Sequence, residues 1–167
     1  MPLISTPGQS NTNCYVTVLE ADQYFADRTH SSAWDEAKAQ ESALVSASEQ
    51  LDWYVTWLGG RVDNVQSMDW PRVGAYSKFG TEYAPTDIPK EVKQAVYELA
   101  LSSLDIDRMA DSDLAGLSMV QAGPLVIKTD AKDQNSDAVQ PIPTKVWNII
   151  SHLATQSSTG TVRLGRA

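Results

Sequence analysis

The residues of this chain that could do chemistry are few and far apart. Cys14 is the only cysteine, and His30 and His152 are the only histidines. A reactive thiol needs a base or a positive field to lower its pKa. Nothing basic lies near Cys14 in sequence, so it reads as a small buried or edge residue. A metal site gathers several His, Cys or carboxylate ligands, and two histidines on separate segments do not supply one. Carboxylates pair up at Asp35/Glu36, Asp105/Asp107 and Asp111/Asp113. Acid–base work needs one member of such a pair raised inside a closed pocket, whereas these fall on polar faces and breaks, and the spacing from Asp105 to Asp111 lacks the glycine and terminal Glu of a calcium loop. No Walker A loop or dinucleotide fingerprint is present, and Gly59-Gly60-Arg61 reads as a helix C-cap. The expectation is a protein with no catalytic, cofactor or metal site: not an enzyme.

Charge and aromatic content narrow the partners. Across 167 residues, 13 Lys and Arg stand against 21 Asp and Glu, a net −8. From Gln140 to Ala167 there are Lys145, Arg163 and Arg166 and no acid, so that end carries +3 and the rest −11. An acidic chain repels phosphate, which argues against gripping nucleic acid non-specifically. Trp34, Trp53, Trp57, Trp70 and Trp147 could stack on bases, but such platforms sit among Lys and Arg and these do not. Anchoring in a core or an interface is the alternative they favour. The first residues, Met1-Pro2-Leu3-Ile4, have neither the basic nor the apolar region of a secretory leader, and no run approaches the roughly 18 apolar residues of a membrane span. A protein made in the cytosol, without a membrane partner, is expected.

The elements that would position these residues read as mainly α: a small bundle of about four helices with one β-hairpin, a long central loop and extended arms at both ends. Residues 1–13 are polar and turn-rich and read as an N-terminal arm. Residues 14–155 read as the helical domain. Thr17 and Glu20 have capping-box spacing and open a helix over 18–28 with Leu19, Tyr24 and Phe25 on its face. Thr29-His30-Ser31-Ser32 ends it. Leu44, Ala47, Leu51, Tyr54, Val55 and Leu58 recur at three and four, which predicts a helix over 35–57 with a weak point near Ala39. The loop spans 59–88, and a stretch of that length usually has a task. A helix over 88–107, capped by Thr86 or Asp87, buries Ile88, Val92, Ala95, Val96 and Leu99. Residues 117–129 read as a hairpin in need of a packing partner. A last helix over 143–155 presents Val146, Ile149, Ile150 and Leu153, with His152 beside that face, and 156–167 form a C-terminal arm.

Several segments, in order, resemble one known family. Asn13 to Arg28 is similar to its opening, with Trp34 following at the family's spacing. Ala43 to Trp53 is similar to its next helix. Trp57-Leu58-Gly59-Gly60-Arg61 and Trp70-Pro71-Arg72 resemble its signature, Ile88 to Ala100 its later helix, and Gly160 to Ala167 its ending. Cys14 departs from the pattern where Ser is common, and 131–140 is longer and more polar. The family is that of tailed double-stranded-DNA phage head–tail connector (adaptor, head-completion) proteins, many of which carry the label DnaT-like single-stranded-DNA-binding protein.

The resemblance implies a structural virion protein of the neck, made in the host cytoplasm. Its partners would be itself, in a ring of twelve copies, the portal protein above and a tail-side neck or terminator protein below. The packaged DNA would pass through without specific binding. In such a ring, Val162, Arg163, Leu164 and Arg166 of the C-terminal arm are expected to dock on the portal, since Val162 and Leu164 alternate about Arg163 as an added strand would. Trp57, Arg61, Trp70, Pro71 and Arg72 are expected to pin the central loop or face an interface. Acids of 105–113 or 130–137 are expected at the DNA channel. The alternatives left open are a DnaT-like single-stranded-DNA-binding protein and a tail terminator or completion protein.

Overall fold

The computed structural model describes residues 2–37, 39–109, 119–122, 125–128 and 140–156. The docking residues Val162, Arg163, Leu164 and Arg166 lie outside these, as do the expected channel acids of 130–137. The protein is mainly α, with helices α1 (Val18–Ala26), α2 (Ser32–Asp35), α3 (Gln40–Tyr54), α4 (Lys90–Asp105) and α5 (Thr144–Ile150). Three antiparallel strand pairs accompany them: β1 (Val55–Trp57) with β6 (Ala154–Gln156), β2 (Gly60–Arg61) with β3 (Arg72–Val73), and β4 (Met119–Ala122) with β5 (Leu125–Lys128). The chain divides into two compact units, one of Met1–Ile106 with Ile142–Ala167 and one of Asp107–Pro141 that holds the β4–β5 hairpin.

Local chemistry sets the first helix. The Thr17 side chain accepts from the Glu20 amide, and the Glu20 carboxylate accepts from the Thr17 amide, a complete capping box. After Ala26 the Ser31 hydroxyl donates to the Phe25 and Arg28 carbonyls, and His30 takes a positive φ of 60°. These close α1 and turn the chain into α2, where Trp34 is buried. The core lies where α3 and α5 pack on α4. Val92, Ala95, Val96, Leu99 and Ala100 are fully buried on α4, against Leu44, Ala47 and Leu51 of α3 and Val146 and Ile150 of α5 in one cluster.

Four expectations change. Residues 2–13 are no free arm: the Asn13 side chain accepts from the Ile4 amide at 2.7 Å and donates to the Pro2 carbonyl at 3.0 Å, so the segment folds back on itself. Of the expected 35–57 helix, α3 begins after the expected weak point at Ala39 and stops at Tyr54, and 55–57 is a strand, because Val55 and Trp57 point inward while Thr56 points out, the period of a strand pairing with β6. Gly59, at φ 76°, caps no helix; it turns the chain from β1 into β2 so tightly that a Cβ would sit 2.3 Å from the Val73 carbonyl oxygen. Leu19 lies off the buried Ala21 and Phe25 face and is 67% exposed. Two smaller shifts follow: Pro89 rather than Thr86 or Asp87 stands at the N-cap of α4, and the last helix ends at Ile150, before Leu153.

Candidate interaction surface

The central loop is held from within by Trp57, Arg61, Trp70, Pro71 and Arg72, which the fold brings together. Trp70, 1% exposed, meets Trp57 edge-to-face with ring centroids 5.6 Å apart. The buried Arg72 guanidinium donates from Nε to the Leu58 carbonyl at 2.9 Å, from Nη2 to the Gly59 carbonyl at 2.8 Å and the Trp57 carbonyl at 3.4 Å, and from Nη1 to the Asp69 carbonyl at 3.1 Å. A lysine has no planar fork to reach these acceptors together. Arg61 donates to the Gln66 carbonyl and stands 3.9 Å from the Asp69 carboxylate. Gln66, itself buried, donates to the Met68 carbonyl at 2.8 Å and the Pro71 carbonyl at 3.1 Å and accepts from the Asp63 amide at 3.0 Å. Buried backbone groups that a loop would otherwise leave without partners are thus satisfied by three side chains.

A second set of residues, which sequence reasoning missed, ties this loop to the body. Asp52 of α3 accepts from the Tyr15 hydroxyl and, at 3.0 Å, from the Asp69 amide. The Tyr15 oxygen accepts in turn from the Asp69 and Trp70 amides at 3.1 and 3.3 Å. Burial pushes the Asp52 carboxyl up to about 6, the Tyr15 and backbone hydrogen bonds offsetting only part of that. Burial first, and then the charge of Asp52, pushes the Tyr15 hydroxyl well above its usual value. Ser67 donates to the Thr12 and Gln9 carbonyls, which joins the loop to the folded-back N-terminal segment. No local pattern marks Tyr15 and Asp52 as partners; they are 37 residues apart.

Exposed large hydrophobics recur in and just before this loop: Trp53 and Tyr54 at the end of α3, Leu58, and then Val62, Val65, Val73, Tyr76 and Phe79, eight within 27 residues of chain. Trp53 is 64% and Phe79 95% exposed. Exposed apolar side chains that gather into a patch serve partners.

Five of the 13 cations are paired: Arg28, Arg61, Arg72, Lys93 and Lys145 each stand within 4.0 Å of a carboxylate. The strongest cluster surrounds Glu98, which is buried on α4. It accepts from Arg28 Nε at 2.6 Å and Nη2 at 2.9 Å, from the Tyr24 hydroxyl at 2.8 Å, and from Lys145. Burial alone would raise this carboxyl, but Lys145, Tyr24 and Arg28 together hold it below its usual value. Cys14 is buried beside the Ser48 hydroxyl, and burial raises its thiol. Burial lowers the His152 imidazole and the Glu91 charge partly offsets it, and among the described residues no group of three or more His, Cys, Asp or Glu could hold a metal ion. No helix among the described residues is long and apolar enough to cross a membrane.

A family model described as "Putative DnaT-like ssDNA binding protein" matches residues 1–167. No curated protein and no solved structure matches the chain.

Proposed function

The chain belongs to this DnaT-like family over its whole length, and from that premise we propose that it is a non-catalytic assembly subunit, a head–tail connector adaptor that forms a ring beneath a phage portal. The observation that carries this reading is the pairing of apolar and charged surface: five large hydrophobics, Val62, Val65, Val73, Tyr76 and Phe79, face out from the pinned loop and three more, Trp53, Tyr54 and Leu58, just before it, while five cations are paired with carboxylates. A closed ring sets one patch of a subunit against a different patch of the next, and a pinned apolar loop is suited to that use. The acidic balance supports a channel through which DNA slides without sticking. Residues 157–167, with Val162, Arg163, Leu164 and Arg166, are proposed as the portal-docking arm. Since Gln156 pairs with Val55, the chain should be cut after Gln156: the truncated subunit is expected to melt as the full chain does and to lose sedimentation with portal. Retained sedimentation would remove the arm from the account.

The family description favours a second reading, single-stranded-DNA binding. A strand-binding groove needs cations free to meet phosphates and aromatics free to stack. Titration of a labelled oligothymidine at low salt separates the two. The connector reading expects no saturable, salt-sensitive binding. Tight binding that weakens steeply with added salt would favour the DNA reading instead.

A further inference from the structure

Residues 74–83 display an aromatic ring on a small hairpin. Tyr76 and Glu82 are bridged, the Tyr83 amide donates to the Ala75 carbonyl at 2.9 Å, and the Glu82 carboxylate accepts from the Gly74 amide at 3.0 Å. At the tip the Ser77 amide donates to the Thr81 carbonyl at 2.8 Å, and the Ser77 hydroxyl accepts from the Thr81 amide at 3.1 Å. Gly80, at φ 80°, closes a three-residue loop, Lys78-Phe79-Gly80, with glycine at the left-handed position. The base of the hairpin is fastened to the body: Ala75 is buried, and the Tyr83 hydroxyl donates to Glu91 of α4 at 3.0 Å. The backbone of the tip is thus set, while Phe79 stands almost wholly in solvent with Tyr76 also exposed and the exposed Lys78 beside it. A ring already held in place gives up little freedom when a partner covers it.

A second aromatic site faces out at the end of α3. Trp53 is 64% and Tyr54 39% exposed. Trp53 makes no ring contact among the described residues. Glu49, also exposed, precedes Trp53 by four residues and so lies on the same helix face, one turn away. The α3 face therefore offers an indole with a carboxylate beside it, and the hairpin offers a phenyl ring with an ammonium beside it. Side chains four apart on a helix stand about 5–6 Å apart, a gap that two adjacent residues of a turn can span. Among the described residues neither Glu49 nor Lys78 is in an ion pair. We infer that the hairpin tip of one copy packs on the α3 face of a second copy, Phe79 and Tyr76 against Trp53 and Tyr54, with Lys78 meeting Glu49. Each aromatic side chain can bury about 150–250 Å², so four of them fall short of the roughly 1,200 Å² of a stable free pair. The contact is weak alone and gains its strength when many copies repeat it at once. Tip and face are different patches, so the contact is heterologous and passes from copy to copy. The inference rests on the proposed self-assembly and gives that assembly its contact.

The test is sedimentation of the full chain in low salt at concentrations up to the millimolar range. The wild type is expected to associate as concentration rises. Trp53→Ala and Phe79→Ala are each expected to weaken association about tenfold or more, with unchanged melting. Lys78→Glu and Glu49→Lys are each expected to weaken it about threefold. An equimolar mixture of those two is expected to recover it, because every contact in an alternating assembly is then complementary. A wild type that stays monomeric throughout, an aromatic variant that associates as the wild type does, or a mixture that does not recover overturns the contact. Trp53→Ala subunits that still form rings on portal as the wild type does overturn it too, and leave the connector reading standing on another surface. Loss of oligothymidine binding in Phe79→Ala, with association unchanged, would assign the tip to nucleic acid and likewise overturn the contact.

Discussion

The central loop has two halves that handle their aromatic residues in opposite ways. In 59–73 the tryptophan faces in: Trp70 is buried on Trp57, and Arg72 and Gln66 satisfy the carbonyls around it. In 74–83 the phenylalanine faces out, on a hairpin tip closed only by its own backbone and Ser77. The first half is integral to the core and fails with it. The second is anchored by the buried Ala75 and by Tyr83, whose hydroxyl donates to Glu91 of α4 at 3.0 Å, while its tip side chains contribute little to folding. One loop therefore divides into a part that holds the fold and a tip free to serve a partner, and only the tip can be changed without unfolding the subunit.

That contrast predicts a graded series. Trp70→Ala leaves a cavity beside Trp57 and should cost about 3–5 kcal/mol, read as a large fall in melting temperature; wild-type melting would mean the loop is not pinned from within. Glu98→Gln removes the charge that Arg28, Tyr24 and Lys145 share, and should cost about 2–3 kcal/mol, since both cations can reach water once it is gone. Gly59→Ala forces a Cβ toward the Val73 carbonyl at a positive φ and should cost about 2 kcal/mol or more. Phe79→Ala should change stability by less than about 0.5 kcal/mol and act only on association. A Phe79 variant that melts as early as a Trp70 variant would erase the distinction between the halves.

The half-buried Asp52 sharpens it through pH. Its folded carboxyl sits at about 6 against an ordinary 3.8, so the folded state holds that proton more tightly than the unfolded chain. Stability from this group is therefore present at low pH and falls as pH rises from about 4 to about 6, by up to about 3 kcal/mol. Glu98 acts oppositely: its lowered value stabilises above the usual carboxylate range and is lost as pH falls through the folded value. Asp52→Asn should flatten the slope between pH 4 and 6 in chemical denaturation, and an unchanged slope would assign it to another group.

What could be read from sequence was what is local. Thr17 and Glu20 are three residues apart and their capping box is complete in the fold. The apolar spacing of Val92, Ala95, Val96 and Leu99 marks the buried side of α4. Trp57, Arg61 and Trp70-Pro71-Arg72 stood out through the family resemblance, and the fold brings them together. Long-range pairings gave no such mark. Val55 pairs with Gln156, about a hundred residues on, so a run with helical spacing became a strand because a distant segment lay beside it. Glu98 and Asp52 sit among apolar helix neighbours, and a buried carboxylate announces itself only when its donors are known; those of Glu98 come from Tyr24, Arg28 and Lys145. The outward apolar set was passed over because Val62, Val65, Tyr76 and Phe79 lie in irregular chain, where no period tells inside from outside.

The account stands on the chain acting as one of many copies about an axis. Electron microscopy of the purified protein mixed with the portal protein proposed as its partner tests this most directly. Class averages should show an added ring of density coaxial with the portal, with as many subunits as the portal presents. Bare portals at saturating protein, with the same preparation coating single-stranded DNA, would contradict it.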